Sequence, residues 1–171
     1  PSPPALHVAH TRSAVETIAA VLGQVDIAST LLGGTDARFA ADAASLVDVA
    51  GLNSRVEAAG FTGARSYRQR QGDLVFGAGT TLSAHSLQLA ADGGALVIDG
   101  AVNLVGAHAS ANFSGGTRVG IAGHVAAAQG GDLTLNALAD GATIDVAPTA
   151  GIDLGNGALT LRVRDDDTVA G

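Results

Sequence analysis

Short stretches in which every second residue is apolar recur along the second half of the chain. The segment 72–104 contains several of them, each bounded by Gly, Asp or Asn. Successive side chains of a β-strand point to opposite faces, so this alternation predicts short strands that bury one face. The alternating pairs are Leu74 and Phe76, Leu87 and Leu89, Leu96 and Ile98, and Val102 and Leu104.

The alternating stretches also repeat at a regular distance. Leu74, Leu96 and Val119 each follow a glycine-rich turn and are 22 and 23 residues apart. A spacing of roughly 20–25 residues is typical of one coil of a solenoid built from short strands and tight turns. The intervals are not constant, so we expect loops of different length between coils, one of them at Ala107–Gly116.

The segment from Ser13 to Leu32 admits two interpretations. Ser13 and Glu16 have the form of a helix capping box, and Gly23 would end a short helix. The β-branched residues of the same segment instead favour strands, and we predict strands here. The predicted pieces are Val15–Ile18, Val21–Leu22 and Val25–Ile27.

The segment from Thr35 to Ala59 poses the same choice. Its alanines favour a helix on propensity alone. However, Leu46–Val49 and Ser54–Glu57 match the apolar alternation of the later coils, and we interpret both as coil strands. In this scheme residues 1–12 are a connector or the start of the first coil. Residues 13–171 form the repeat segment, with 13–53 less regular and open to a short helix.

The composition restricts the class of protein. Apolar residues make up 47% of the chain but aromatic residues only 3%, and there are 24 glycines, which suits thin stacked layers better than a bulky core. The absence of cysteine excludes a disulfide scaffold and zinc–cysteine sites. A net charge of −7 argues against nucleic-acid binding, and no apolar run is long enough to predict a transmembrane helix.

One basic and aromatic cluster stands out in the segment 61–71. It contains Arg65, Tyr67, Arg68 and Arg70, residue types that bind anionic sugars or phosphate. The simpler interpretation, which we favour, is a solvated turn or the outer face of a strand. We therefore predict at most a weak ligand-contact patch at these four residues.

The histidines and aspartates offer two further candidates. His85 and His108 lie one repeat apart and would stack on one face, with His124 nearby, so they raise the question of a transition-metal site. No His-x-x-x-His or His-Glu pair accompanies them, and we expect a neutral surface stack. Most aspartates adjoin glycine, where turn chemistry explains them. We predict no catalytic residue, no metal site and no cofactor.

The glycine-bounded repeats GDLVFGAGTTLSAHSLQLAADGGALVIDGAVN and GGDLTLNALADGATIDVAPTAGIDLGNGALTLRV resemble the filament region of filamentous haemagglutinin-type exoproteins, the passengers of two-partner secretion. The resemblance covers roughly residues 54–171. It implies a right-handed parallel β-helix, secretion through an outer-membrane transporter of the Omp85 class, and a location at the bacterial cell surface. The secretion domain of this family is not visible in the chain, so the resemblance indicates an internal shaft segment.

Together these observations predict an all-β protein, a right-handed parallel β-helix of about seven coils with about 20–25 residues each. The predicted role is a non-catalytic shaft of a secreted adhesin or filament, acting in adhesion or biofilm. We expect a host or matrix surface ligand of unknown identity, self-association through the ends of the β-helix, no nucleic-acid partner and no stable membrane insertion. Two alternatives stay open: a polysaccharide-degrading β-helix enzyme and a subunit of an end-to-end filament.

Overall fold

The chain forms a parallel β-solenoid of about five turns, seen in a computed structural model that describes the strand Val15–Ala20 and residues 36–164. The predicted connector 1–12 and the predicted strands Val21–Leu22 and Val25–Ile27 lie outside the described residues. The described elements, in chain order, are β1 Val15–Ala20, β2 Arg38–Ala43, α1 Val49–Ala58, β3 Ala64–Gln69, β4 Leu74–Phe76, β5 Thr81–Ala84, β6 Ser86–Ala91, β7 Ala95–Ile98, β8 Ala101–Leu104, β9 Ala109–Gly115, β10 Arg118–Ile121, β11 His124–Ala126, β12 Gly131–Ala137, β13 Thr143–Val146, β14 Gly151–Asp153 and β15 Leu159–Val163.

Three parallel sheets run along the solenoid. Sheet A has the order β1-β2-β3-β6-β9-β12-β15, sheet B has β4-β7-β10-β13, and sheet C has β5-β8-β11-β14. Each regular coil passes once through sheets A, B and C, as in β6, β7 and β8. The predicted fold class is therefore confirmed as a parallel β-solenoid, but the expected seven coils are corrected to about five turns. Sheet A contains seven strands because β1, β2 and β15 extend it beyond the coils that have all three sheets.

The register of sheet B confirms the repeat that the sequence predicted. Leu74 pairs with Leu96, Leu96 with Val119, and Val119 with Ile144. The first three of these side chains are fully buried. An inward residue of one coil thus packs on the equivalent residue of the next, and the interior is a column of aliphatic side chains.

Glycines sit where the corners of successive coils touch. A Cβ added to Gly94 would collide with the carbonyl oxygen of Gly72, and one added to Gly123 would collide with that of Gly100. Only a residue without a side chain allows backbones to approach this closely. The glycine-rich turns therefore set both the position of each corner and the register of the strands that follow.

The segment 46–59 contains the helix α1, so the strands predicted at Leu46–Val49 and Ser54–Glu57 are wrong. Asp48 caps the helix by accepting a hydrogen bond from the Gly51 amide at 2.8 Å. The helix ends at Ala58 with Ala59 as its C-cap. Gly60 follows with φ 76°, and the Gly60 and Phe61 amides donate back to the Glu57 and Val56 carbonyls in a Schellman arrangement. The order of buried and exposed residues in this segment also fits a helix. Its buried residues recur at intervals of three and four: Val49, Leu52, Asn53 and Val56.

α1 occupies the place that strands of sheets B and C fill in the regular coils. It follows β2, precedes β3, and packs against β4 and β5, which are the terminal strands of those two sheets. Val56 on its inner face is fully buried. The helix therefore covers one end of the aliphatic column, while sheet A continues past it.

Two other predictions have clear outcomes. The strand favoured near Val15–Ile18 is confirmed as β1, and the helix alternative fails there. The loop expected at Ala107–Gly116 is wrong, because it contains the seven-residue strand β9. The inward positions of β9 include Ala109, Ala111 and Gly115, and such small residues hide the alternation of large apolar and polar side chains.

Candidate functional site

The alternation of β3 divides the predicted four-residue patch between two sides of the sheet. Arg65 and Tyr67 point inward and are buried at 1% and 0% exposure, whereas Arg68 points outward and Arg70 follows the strand in solvent. The structure does not bring the four side chains to one surface. Only Arg68 and Arg70 remain accessible to a ligand.

The buried arginine lies in an ionic contact with the helix. Arg65 Nη1 donates to Glu57 Oε2, and Nε donates to the Phe61 carbonyl oxygen. The Arg65 side chain is fully buried, while that of Glu57 is 29% exposed. Arg65 Nη2 has no hydrogen-bond partner within the described part of the chain. A cation at this depth is stable only because the carboxylate compensates its charge.

Polar side chains extend this contact to the neighbouring strands. The Tyr67 hydroxyl donates to Asn53 Oδ1 at 3.0 Å, and Asn53 Nδ2 donates to the Thr81 carbonyl at 2.7 Å. Glu57 Oε2 also accepts from the Ser83 amide at 3.1 Å. Burial raises the pKa of the Tyr67 phenol well above its usual range, so the hydroxyl stays protonated and remains a donor. We call the side chains of Asn53, Glu57, Arg65 and Tyr67 the helix anchor.

The helix anchor was missed by sequence reasoning. An arginine at an inward strand position breaks the rule of apolar inward residues, and its partner Glu57 lies on a segment that was interpreted as a strand. The available signal was Asp48 before the segment and Gly60 after it, which mark the two ends of a helix.

The outward arginines pair with carboxylates on neighbouring coils. Arg70 forms two hydrogen bonds of 2.9 Å with Asp42, and Arg68 Nη2 lies 2.8 Å from Asp92 Oδ2. The hydrogen bond from Arg70 holds the pKa of Asp42 below its usual range, against a smaller opposing effect of burial. The carboxylates raise the pKa of both arginines. Each guanidinium is thus already paired, which weakens its case as an anion-binding group.

A shallow groove of about 660 Å³ lies between α1 and the turn that joins β4 to β5. Its polar lining includes Asn53, Glu57 and Thr80. These groups already bond within the protein, Asn53 and Glu57 in the helix anchor and Thr80 Oγ1 to the Gly77 carbonyl at 2.6 Å. The groove therefore follows from the docking of the helix and offers few free polar groups to a ligand.

The histidines do not form the expected stack. Ser86 pairs with Ser110, a spacing of 24 residues, so His85 and His108 are one position out of register. His85 Nδ1 instead lies 3.0 Å from the Val105 carbonyl oxygen, and His124 begins β11 in the middle of sheet C. In residues 36–164 no three histidine, aspartate or glutamate side chains gather into a group that could hold a metal ion.

Two aspartates that follow glycine accept hydrogen bonds from backbone amides of the next coil. Asp73 Oδ1 accepts from the Ala95 amide and Asp132 Oδ1 accepts from the Ala158 amide, each at 2.8 Å. Both bonds join one coil to the next at a corner. These carboxylates satisfy backbone donors and are not gathered at a common cleft.

Comparisons with protein-family models, with curated proteins and with solved structures gave no significant match. The part of the resemblance to filamentous haemagglutinin that the structure shows is the stacked parallel β-solenoid. Within the part of the chain described, no helix is both long and apolar enough to cross a membrane.

Proposed function

We propose that this protein is a non-catalytic structural segment of an extracellular bacterial filament or adhesin of the filamentous haemagglutinin type. Its role is mechanical. Stacked coils form a stiff rod that holds a binding region away from the cell or joins a matrix. Export through an Omp85-class transporter and contact with a host or matrix ligand belong to the same proposal.

The observation that carries the proposal is the unbroken stacking of equivalent residues in sheets A, B and C. Sheet A alone contains seven parallel strands, and at about 4.8 Å per strand this amounts to a rod of roughly 29 Å. Each coil contacts only its neighbours, so added coils lengthen the rod without changing its cross-section. This regular lengthening suits a spacer.

The polar surface also supports a spacer. The carboxylates of Asp73 and Asp132 cap corners, and those of Asp42 and Asp92 pair with arginines. The alternative role as a polysaccharide-degrading enzyme needs several acidic groups that converge in one cleft. The groove beside α1 has one carboxylate in its lining, Glu57, so no observation favours the enzyme over the rod.

Immunogold labelling of intact producing cells tests the proposal. Antibodies raised against the 171-residue chain should label intact cells at a distance from the outer membrane. Loss of the Omp85-class transporter should remove the label and leave the protein inside the cells. Labelling that appears only after permeabilisation would overturn an extracellular role, and release of sugar from acidic polysaccharides by the purified chain would overturn a non-catalytic one.

A further inference from the structure

One edge of sheet C is closed by a helix instead of a strand. β5 is the terminal described strand of this sheet, with β8 on one side and α1 packed against it. The Thr80 carbonyl accepts a hydrogen bond of 2.9 Å from the Ala101 amide, so Thr80 faces β8. The backbone groups of successive strand residues face opposite neighbours. Thr81 and Ser83 therefore turn their backbone groups toward α1.

Two side chains of α1 bond to these backbone groups. Asn53 Nδ2 donates to the Thr81 carbonyl at 2.7 Å, and Glu57 Oε2 accepts from the Ser83 amide at 3.1 Å. Asn53 and Glu57 are four residues apart, a spacing that places both side chains on the same face of a helix. The helix therefore offers one donor and one acceptor to the edge of β5.

This donor and this acceptor match what a strand would offer. In a parallel ladder, one residue donates its amide to a carbonyl of the neighbouring strand and accepts from the amide two positions further along. A strand residue opposite Leu82 would therefore bond to the Thr81 carbonyl and the Ser83 amide. Asn53 and Glu57 make the same two bonds with side-chain atoms.

The chain that leads into α1 is also held by a side-chain amide. Gln69 is only 5% exposed. Its Oε1 accepts from the Leu46 amide at 3.0 Å, and its Nε2 donates to the Gln71 and Asp73 carbonyls at 2.9 and 2.8 Å. Gln69 thus joins the segment before the helix to the corner before β4. Polar side chains hold the helical segment to the coil both at its start and along its length.

We propose that α1 is a strand-mimicking cap, in which Asn53 and Glu57 replace one strand residue and close this edge of sheet C to pairing with another chain. An open edge beside a buried apolar interior is a template for strand addition. The cap removes that template because it bonds the backbone groups on either side of Leu82. Arg65 and Tyr67 hold the cap in place through their bonds to Glu57 and Asn53. This inference does not depend on the proposed function.

Amide hydrogen exchange in two matched variants tests whether Glu57 acts as a strand carbonyl. Both variants carry Arg65→Met, so neither leaves a buried cation unpaired. One adds Glu57→Gln, which keeps an oxygen acceptor, and the other adds Glu57→Met, which does not. The Ser83 amide should exchange at least about tenfold faster with Glu57→Met than with Glu57→Gln. The Val105 amide, bonded to the Ala84 carbonyl at the other edge of β5, is the internal reference.

Equal exchange rates at Ser83 in the two variants would overturn the proposal. Two slow rates would mean that the Ser83 amide needs no acceptor from α1, and two fast rates would mean that Glu57 acts only through its charge. A rise of equal size at Val105 would also overturn the proposal, because the whole sheet would then open instead of one edge.

Sedimentation velocity over a concentration series tests whether the cap prevents strand pairing. Adding Asn53→Leu to Glu57→Met and Arg65→Met removes both side-chain bonds to β5 but keeps an apolar helix face. The control carries Ser54→Leu and Arg55→Met on the exposed face of the same helix. The cap variant should self-associate at a concentration at least about tenfold lower than the control. A cap variant that associates no more readily than the control would overturn the proposal. If the cap variant does not fold, the exchange rates decide alone.

Discussion

Within residues 36–164, the aliphatic column has a covered end at α1 and an open end at β15. The difference between them shows that a stacked interior does not seal itself. At the α1 end, the inner face of the helix buries Val56 and the aromatic rings pack together, with Phe39 and Phe76 each 5.5 Å from Tyr67. At the open end, the last described strand leaves Leu161 more than half exposed. The two regions have the same inward pattern, and among the described residues they differ in the covering element that α1 provides at one of them.

The comparison shows what is needed to cover the aliphatic column. Large side chains gather beside the helix. Four of the five aromatic residues of the chain, Phe39, Phe61, Tyr67 and Phe76, contact one another there. The covered end also has an ionic pair under the helix, which a uniform coil does not need. Covering the column therefore requires residues that break the repeat.

The largest loss of unfolding free energy is expected when a charge is placed under the helix. Val56→Asp buries a carboxylate at a position with no exposure and should lower the free energy of unfolding by about 3 to 4 kcal/mol. Leu161→Asp places the same charge at the open end, where water reaches it, and should cost within about 0.5 kcal/mol. Urea unfolding measures both free energies. Equal losses would show that the two ends are equally buried.

A smaller effect should come from the helix anchor. Glu57→Gln leaves the buried Arg65 guanidinium without its counter-charge and should cost about 2 kcal/mol, a value reduced from that of a fully buried pair because Glu57 is partly exposed. Arg65→Met leaves the carboxylate, which water can solvate, and should cost less. Thermal and urea unfolding of both variants check the order. A larger loss for Arg65→Met would mean that the guanidinium acts mainly through its bond to Phe61.

Replacing corner glycines by alanine should lower the free energy of unfolding by a smaller amount, which depends on the position of the glycine. Gly94→Ala forces a methyl group onto the Gly72 carbonyl and should cost about 1.5 kcal/mol. Gly157→Ala makes the same clash with Gly131, but next to the uncovered β15 strand, which can shift, and should cost less. Gly79→Ala meets nothing within 4 Å and serves as the control. Equal costs at 94 and 157 would show that β15 is held as firmly as the inner coils.

The smallest effect should come from the outward ion pairs near the covered end. Because Arg70 depresses the pKa of Asp42 in the folded chain, this carboxylate stabilises the fold above its unfolded pKa, and the stability is lost as the pH falls through its folded pKa. The stability difference between the natural chain and Asp42→Asn should thus be present at neutral pH and vanish in acid. It should also shrink in high salt. A difference that persists at low pH would point to a packing role for Asp42. Chemical unfolding at several pH values measures this difference.

The solenoid was predictable from the sequence because both of its periods, the alternation within a strand and the spacing from one coil to the next, are visible over short stretches of the chain. Alternation identified the strands, and the distance between Leu74, Leu96 and Val119 identified the coil, since the corner glycines keep that distance nearly constant. The helix was not predictable from the same rule. An apolar-x-apolar pair such as Val47 and Val49 fits a strand, and the helical spacing appears only over the longer window that begins at Asp48.

The site was less predictable than the fold, for a physical reason. The sequence marks Arg65 and Arg68 as similar residues three positions apart, but a strand sends them to opposite faces. Which of them is buried depends on the partner that α1 supplies from outside the strand. Sequence spacing carries no information about such a partner until the helix itself is recognised.

The glycine corners have a consequence for how such a chain changes over generations. Because each corner touches only the corners of the neighbouring coils, as Gly94 touches Gly72 and Gly123 touches Gly100, a stretch of DNA that encodes one complete coil can be copied or lost while the flanking coils still fit together. Tandem duplication and unequal recombination then change the length of the solenoid in steps of one strand spacing. Length becomes an inherited trait that can vary without a new fold having to arise.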